Sequence, residues 1–344
     1  MGTVRLVCIF LAMGMASARA SVFTIGPITT IDTTDGFEPV GLRSADGVVV
    51  FAYQPNSENY MVKAWDQAGG LRVVRSTSSS SQAVGGPDVS GRTIVWAEFT
   101  SSGIAKIRAE NLDTKVVVDV TTPSANQGQP SIENNTVVWT QSSANGKNDV
   151  YTADLQSYLI QPVANDPAVF ESAPDISNGR VLYANGASVP GIRVRDLASQ
   201  ANTYAYDLPG GTIYSQPRPM IDGNLAAWFE STNQLQGLHV VNVLTSQQWT
   251  IGNTERAAIS NGIVAYNDYS QGAIMALDTV SGTTTLLRTL PHGGSTSVTL
   301  DGYQLSWVEW LGTTNHFAVE TALVPEPSSL LSMIAVALLL GRKR

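Results

Sequence analysis

The chain has 344 residues, 14% of them charged and 43% hydrophobic, with a formal charge of -8, three histidines and one cysteine. That length exceeds a typical single core, and low charge with ample apolar content excludes a disordered chain. The acidic balance argues against a nucleic-acid partner, and one cysteine excludes a disulfide framework or a cysteine-built metal site.

The first segment is an address. Arg5 precedes an apolar stretch from Leu6 to Met15, and Ala18-Arg19-Ala20 sets small residues at the two positions a signal peptidase reads. Cleavage is expected between Ala20 and Ser21, making residues 1–20 a signal peptide and the chain an exported one. Cys8 lies in the discarded part, so the mature chain has no cysteine and must gain its stability from packing.

From there a single unit recurs. A turn pair followed by a β-rich run ending in an aromatic appears seven times: Asp46-Gly47 to Phe51, Ser90-Gly91 to Trp96, Asn134-Asn135 to Trp139, Asn178-Gly179 to Tyr183, Asp222-Gly223 to Trp228, Asn261-Gly262 to Tyr266, and Asp301-Gly302 to Trp307. Successive aromatics stand 45, 43, 44, 45, 38 and 41 residues apart, the period of a four-stranded propeller blade. Asn-Gly and Asp-Gly suit tight hairpins, whose central positions need positive φ. The run after each turn, such as Ile94-Val95-Trp96, is apolar on consecutive positions, as in a strand covered on both faces. Third and fourth strands follow, for example Asp149–Leu155 and Lys115–Val120.

The seventh unit reaches the chain's end segment with three strands, His316–Thr321 being the third, while Val22–Thr30 is strand-like and lacks a partner. Donating that segment to the last blade closes the ring and removes the open edge. The fold expected is all-β: a seven-bladed β-propeller over residues 21–323, closed by an N-terminal strand. The unit resembles the TolB-like propeller repeat, most closely at Pro130-Ser131-Ile132 through Trp139 with Asn148-Asp149-Val150-Tyr151. That resemblance implies a propeller and little about activity, since the fold hosts binding proteins and enzymes alike.

Two residues beyond each aromatic stand Glu98, Gln141, Asn185, Glu230, Asp268 and Glu309, with Tyr53 breaking the series in the first unit. Such a ring could hold Ca²⁺ or sugar hydroxyls. A feature present in nearly every repeat more simply serves the repeat, each side chain accepting hydrogen bonds from loop N–H groups. One residue further, Phe99, Tyr269 and Trp310 offer flat apolar faces beside polar loops, suited to stacking on sugars or to packing between blades. Glu98, Phe99, Glu230, Asp268, Tyr269, Glu309 and Trp310 therefore form the candidate binding face.

No catalytic or metal-ligating residue is assigned. His239, His292 and His316 have no metal-ligand spacing, and no serine lies in a nucleophile elbow. Polysaccharide lyases on seven-bladed propellers rely on a histidine-rich metal site, which three scattered histidines do not match. Asp32–Asp35 with Gly36 lacks the remaining ligands of a calcium loop.

The chain ends with Val324-Pro325-Glu326-Pro327, a 12-residue apolar run Leu330–Gly341, and Arg342-Lys343-Arg344. This order resembles the PEP-CTERM sorting signal of Gram-negative bacteria, and the resemblance implies processing by an exosortase-type transpeptidase near the Pro-Glu-Pro motif. Residues 324–344 are accordingly read as a sorting signal whose short helix associates transiently with the inner membrane, although 12 residues fall short of the ~20 of a comfortable span. The expected function is a non-catalytic propeller at the cell surface or in the extracellular matrix, without a cofactor, binding polysaccharide or a surface protein. The alternative is a carbohydrate-active enzyme, lyase or glycoside hydrolase, on the same scaffold.

Overall fold

The computed structural model describes residues 25–324, except 79–82, 123–124, 187–188, 215–217, 232–235, 293–294 and 314. The signal-peptide residues Ala18, Ala20 and Ser21 and the sorting-motif residues Pro325, Glu326 and Pro327 lie outside them; Val324 lies inside.

Seven small antiparallel sheets follow one another along the chain. Blade one, for instance, runs Val40–Ala45, Val48–Tyr53, Tyr60–Asp66 and Gly70–Thr77, from inner to outer strand. The ring closes as expected. Blade seven takes its first three strands from Ser295–Asp301, Gln304–Trp310 and His316–Leu323, and its fourth from the N-terminal Thr29–Asp35. The closing strand begins seven residues later than Val22, so Asp32–Asp35 belongs to a strand and not to a loop. Lys63 of blade one pairs with Asp32 at 2.6 Å across the closure.

The turns explain the repeat. At Asp46-Gly47, Asn178-Gly179 and Asn261-Gly262 both central residues have positive φ. At Gly91, Gly223 and Gly302 glycine takes the first central position, so Ser90, Asp222 and Asp301 are the last residues of the inner strand.

Core packing falls into seven clusters among the described residues, one at each blade interface. Neighbouring residues of each second strand serve opposite sides: Ile94 and Trp96 pack on blade one, whereas Val95 packs on blade three. In every blade the repeat aromatic faces the preceding blade. Phe51 lies with Val308 and Val319 of blade seven, and Trp228 with Leu182 and Ile192 of blade four. Trp96, Trp139, Trp228 and Trp307 are the largest fully buried side chains, so truncating one would cost about 3–5 kcal/mol.

A second tie runs along the turn face. Each turn donates a backbone N–H to a side chain at the end of the preceding blade's inner strand or in the turn that follows it. Gly91 N reaches Asp46 Oδ2 at 2.9 Å, Asn134 N reaches Ser90 Oγ at 2.8 Å, and Gly179 N reaches Glu133 Oε2 at 3.0 Å. The pattern continues through Gly223 N–Ser177 Oγ at 3.0 Å, Asn261 N–Asp222 Oδ2 at 2.7 Å and Gly302 N–Ser260 Oγ at 2.9 Å. Gly47 N on Asp301 Oδ2, at 3.0 Å, completes the circle across the closure.

Candidate functional site

The acids predicted beyond each aromatic are mostly internal. Glu98, Glu230 and Glu309 are buried, and each accepts the indole N–H of the tryptophan two residues before it, at 3.2, 2.8 and 3.3 Å. Sharing the tryptophan's side of the strand, each also meets the outer strand of the preceding blade. Glu98 takes Arg75 Nη2 at 2.6 Å and Arg108 of its own blade at 3.1 Å; Glu309 meets Arg288 at 3.5 Å. Glu230 receives the Tyr206 hydroxyl at 3.4 Å and stands 3.6 Å from His239 Nδ1. Burial raises the Glu98 and Glu230 carboxyls, but these donors outweigh it and hold both below the usual carboxylate range. The partners are arginines and indoles, not loop N–H groups. In blade three Gln141 replaces the acid and bonds Gln127 Nε2 at 2.9 Å, and buried Trp139 Nε1 has no partner among the described residues.

Asp268 instead caps its own turn, accepting from Ser270 N at 2.9 Å and Gln271 Nε2 at 2.6 Å. Phe99, Tyr269 and Trp310 are partly exposed on blades two, six and seven, and no ring contact joins any two of them among the described residues. Trp310 donates to Thr313 O at 2.8 Å, and Tyr269 edges a shallow open depression with Glu255 and Ser270. The candidate face thus divides into three interblade ties, one turn cap and three separate aromatics.

The polar centre lies on the axis, and the sequence reading missed it. Inner strands of all seven blades line an axial channel. Four of them carry a bulge with positive φ, at Gly41, Gly86, Gln129 and Ala173, and two residues on stand Arg43, Asp88, Ser131 and Asp175, all in the channel wall. The bulge turns this position inward and leaves the outward side to core residues such as Leu42 and Ile176. The matching positions of the other blades are Met220, Ala258 and Thr299, so at this level of the channel the charged side chains come from blades one, two and four.

Ser131 Oγ bridges the two acids, 2.7 Å from Asp88 Oδ2 and 2.8 Å from Asp175 Oδ1. A hydroxyl has one proton, so it donates to one carboxylate while the other carboxyl must donate to it. Asp88 also accepts Ile132 N at 3.0 Å and lies 3.3 Å from Arg218 Nη2; Asp175 likewise accepts Ile221 N at 2.8 Å and lies 3.9 Å from Arg218 Nη2. Burial pushes the Asp175 carboxyl up.

At the bulge end the channel opens into a cavity of about 260 Å³ edged by Arg43, Arg218 and Arg256, with Gly41, Gly86 and Ser297 among its walls. Arg218 is almost wholly buried, donates to Pro130 O at 2.6 Å, and has no partner for Nε among the described residues. Arg43 donates to Leu42 O at 3.0 Å and stands 3.9 Å from Asp88. Burial, then repulsion from Arg218, lowers its pKa to about 10. The Pro87-Asp88 and Pro174-Asp175 pairs were visible as strand starts. Arg43 and Arg218 interrupt the repeat and gave no pattern to follow.

No family model and no curated protein matches the chain. Solved structures do. A puromycin hydrolase is 12% identical with TM-score 0.62, over 85% of this chain and 55% of that one. A prolyl endopeptidase is 13% identical with TM-score 0.59, over 81% and 45%. A chain of a mitotic checkpoint complex is 12% identical with TM-score 0.59, over 94% and 99%. The chain therefore spans about half the length of the peptidases it matches, and at these identities the likeness establishes the propeller fold. The expected function, a non-catalytic binder of polysaccharide or surface protein, is corrected by these neighbours, which are propeller domains of peptidases. The expectation that the protein stands outside enzymology is corrected by the same neighbours, whose propeller domains are the parts that match. No described helix is long and apolar enough to span a bilayer, and Leu330–Gly341, the segment expected to associate transiently with the inner membrane, lies outside the described residues.

Proposed function

We propose that this chain is the propeller of a peptidase system, receiving an extended peptide at its axial channel and presenting it for hydrolysis. The observation that carries the reading is the shape match to peptidase propellers over more than four-fifths of the chain. The channel supports it, because a concave site with a few convergent polar groups is where a ligand is held. Two histidine–carboxylate pairs are present, His239–Glu230 at 3.6 Å and His316–Asp35 at 2.7 Å. Neither imidazole receives a serine hydroxyl hydrogen bond among the described residues, so the reading assigns hydrolytic groups to a peptidase unit acting with this ring.

The terminal patterns support an exported chain, with signal peptidase acting before Ser21 and an exosortase-type enzyme at Val324-Pro325-Glu326-Pro327. Val324 donates its N–H to Tyr303 O at 2.6 Å, so blade seven is complete where that motif begins. Photo-crosslinking of a benzophenone-bearing unstructured peptide to the purified full-length chain tests peptide reception. Adducts on the segments around Gly41, Gly86 and Arg218 are expected; adducts confined to outer strands would overturn it.

A further inference from the structure

We propose that the arginine-edged mouth is a carboxylate site, in which Arg43 and Arg218 receive the C-terminal carboxylate of a peptide. The inference rests on the peptidase-type reading and adds the group that is recognised. Arg218 is held by Pro130 O and Asp88, while its buried Nε has no partner among the described residues. Arg43, about one-third exposed, donates to Leu42 O and stands 3.9 Å from Asp88. A buried, preset guanidinium beside a more exposed one offers the paired N–H donors that two-pronged carboxylate binding needs.

The guanidinium groups of Arg43, Arg218 and Arg256 and the side chain of Glu38 line the mouth, with Asp88 and Asp175 in the channel wall behind it. A planar carboxylate can take two parallel N–H donors from such a cluster. The cavity equals the share of about nine liquid waters, room for a terminal residue and its carboxylate. Glycine at 41 and 86 keeps the wall open: a Cβ at Gly41 would come within 3.0 Å of the Pro87 ring.

The test is fluorescence anisotropy of an N-terminally fluorescein-labelled Gly-Ala-Pro-Leu peptide, as free acid and as C-terminal amide, titrated with the full-length chain. The acid should bind at least about tenfold more tightly than the amide. Arg43→Gln should abolish most of that difference by weakening the acid alone, with the near-ultraviolet circular dichroism unchanged. Arg218→Gln should do the same; if that buried change unfolds the chain, the Arg43 variant decides. Equal affinity of acid and amide, or an unaltered difference in Arg43→Gln, would each overturn the carboxylate site and leave peptide reception standing. Failure of both peptides to bind would overturn both readings.

Discussion

Glu98 offers the sharpest test of how the blades are joined. Its carboxylate accepts Arg75 Nε at 3.0 Å and Nη2 at 2.6 Å, Arg108 Nη1 at 3.1 Å and Trp96 Nε1 at 3.2 Å. Glu98→Ala strands an indole N–H in the core and two guanidinium groups at the seam between blades one and two. Breaking a buried pair costs about 3–5 kcal/mol. Arg75 is more than one-third exposed and recovers water, which lowers its share. A loss of about 3 kcal/mol remains, read from urea unfolding followed by tryptophan fluorescence at an unchanged m-value. The penalty should also depend on pH. The folded-state pKa of Glu98 lies below its ordinary 4.5, so its contribution is full above that value and vanishes as pH falls through the folded pKa. The gap between wild type and variant should therefore narrow below about pH 4. A loss under about 0.5 kcal/mol at pH 7, or a gap that does not change with pH, would refute the interblade role.

Further expectations follow from single contacts. Trp139→Phe should cost about 1 kcal/mol less than Trp228→Phe in the same unfolding assay, because Trp139 Nε1 has no partner to lose whereas Trp228 Nε1 bonds Glu230 at 2.8 Å. Glu171 and Glu320 have the opposite pH sign to Glu98: burial lifts both to about 7, from an ordinary 4.5. The folded state then binds more protons between pH 4.5 and 7, stability falls across that window, and Glu171→Gln with Glu320→Gln should flatten the fall in denaturation curves. Gly237→Ala should destabilise by about 1–3 kcal/mol in thermal unfolding, since its Cβ would stand 2.3 Å from Ile251 O.

The ring was legible because its signals are local and repeated. A turn pair and a doubly buried strand every 38 to 45 residues determine blade number, and the unpartnered first segment determines closure. The closing strand is Thr29–Asp35 and not the more apolar Val22–Thr30, because an edge strand needs few apolar residues and this one turns mainly threonine and aspartate outward. The axial site was not legible for a physical reason. Arg43, Asp88, Ser131 and Asp175 come together only when four bulged strands meet around the axis, and nothing in a one-dimensional period records which repeats carry charge there. Glu98 and Glu230 were conspicuous in sequence, but a residue two positions after a buried tryptophan shares its side of the strand. That placement turns them into the seam and away from a ligand.

Peptide entry at the axial mouth can be blocked by filling the cavity. Ser297 lies in the cavity wall, and Ser297→Trp would fill much of a space of about 260 Å³. Anisotropy titration of the labelled free-acid peptide should show binding to the wild-type full-length chain and loss of at least about tenfold in affinity in Ser297→Trp, with urea midpoints alike. Equal peptide affinity in the two proteins would contradict the account.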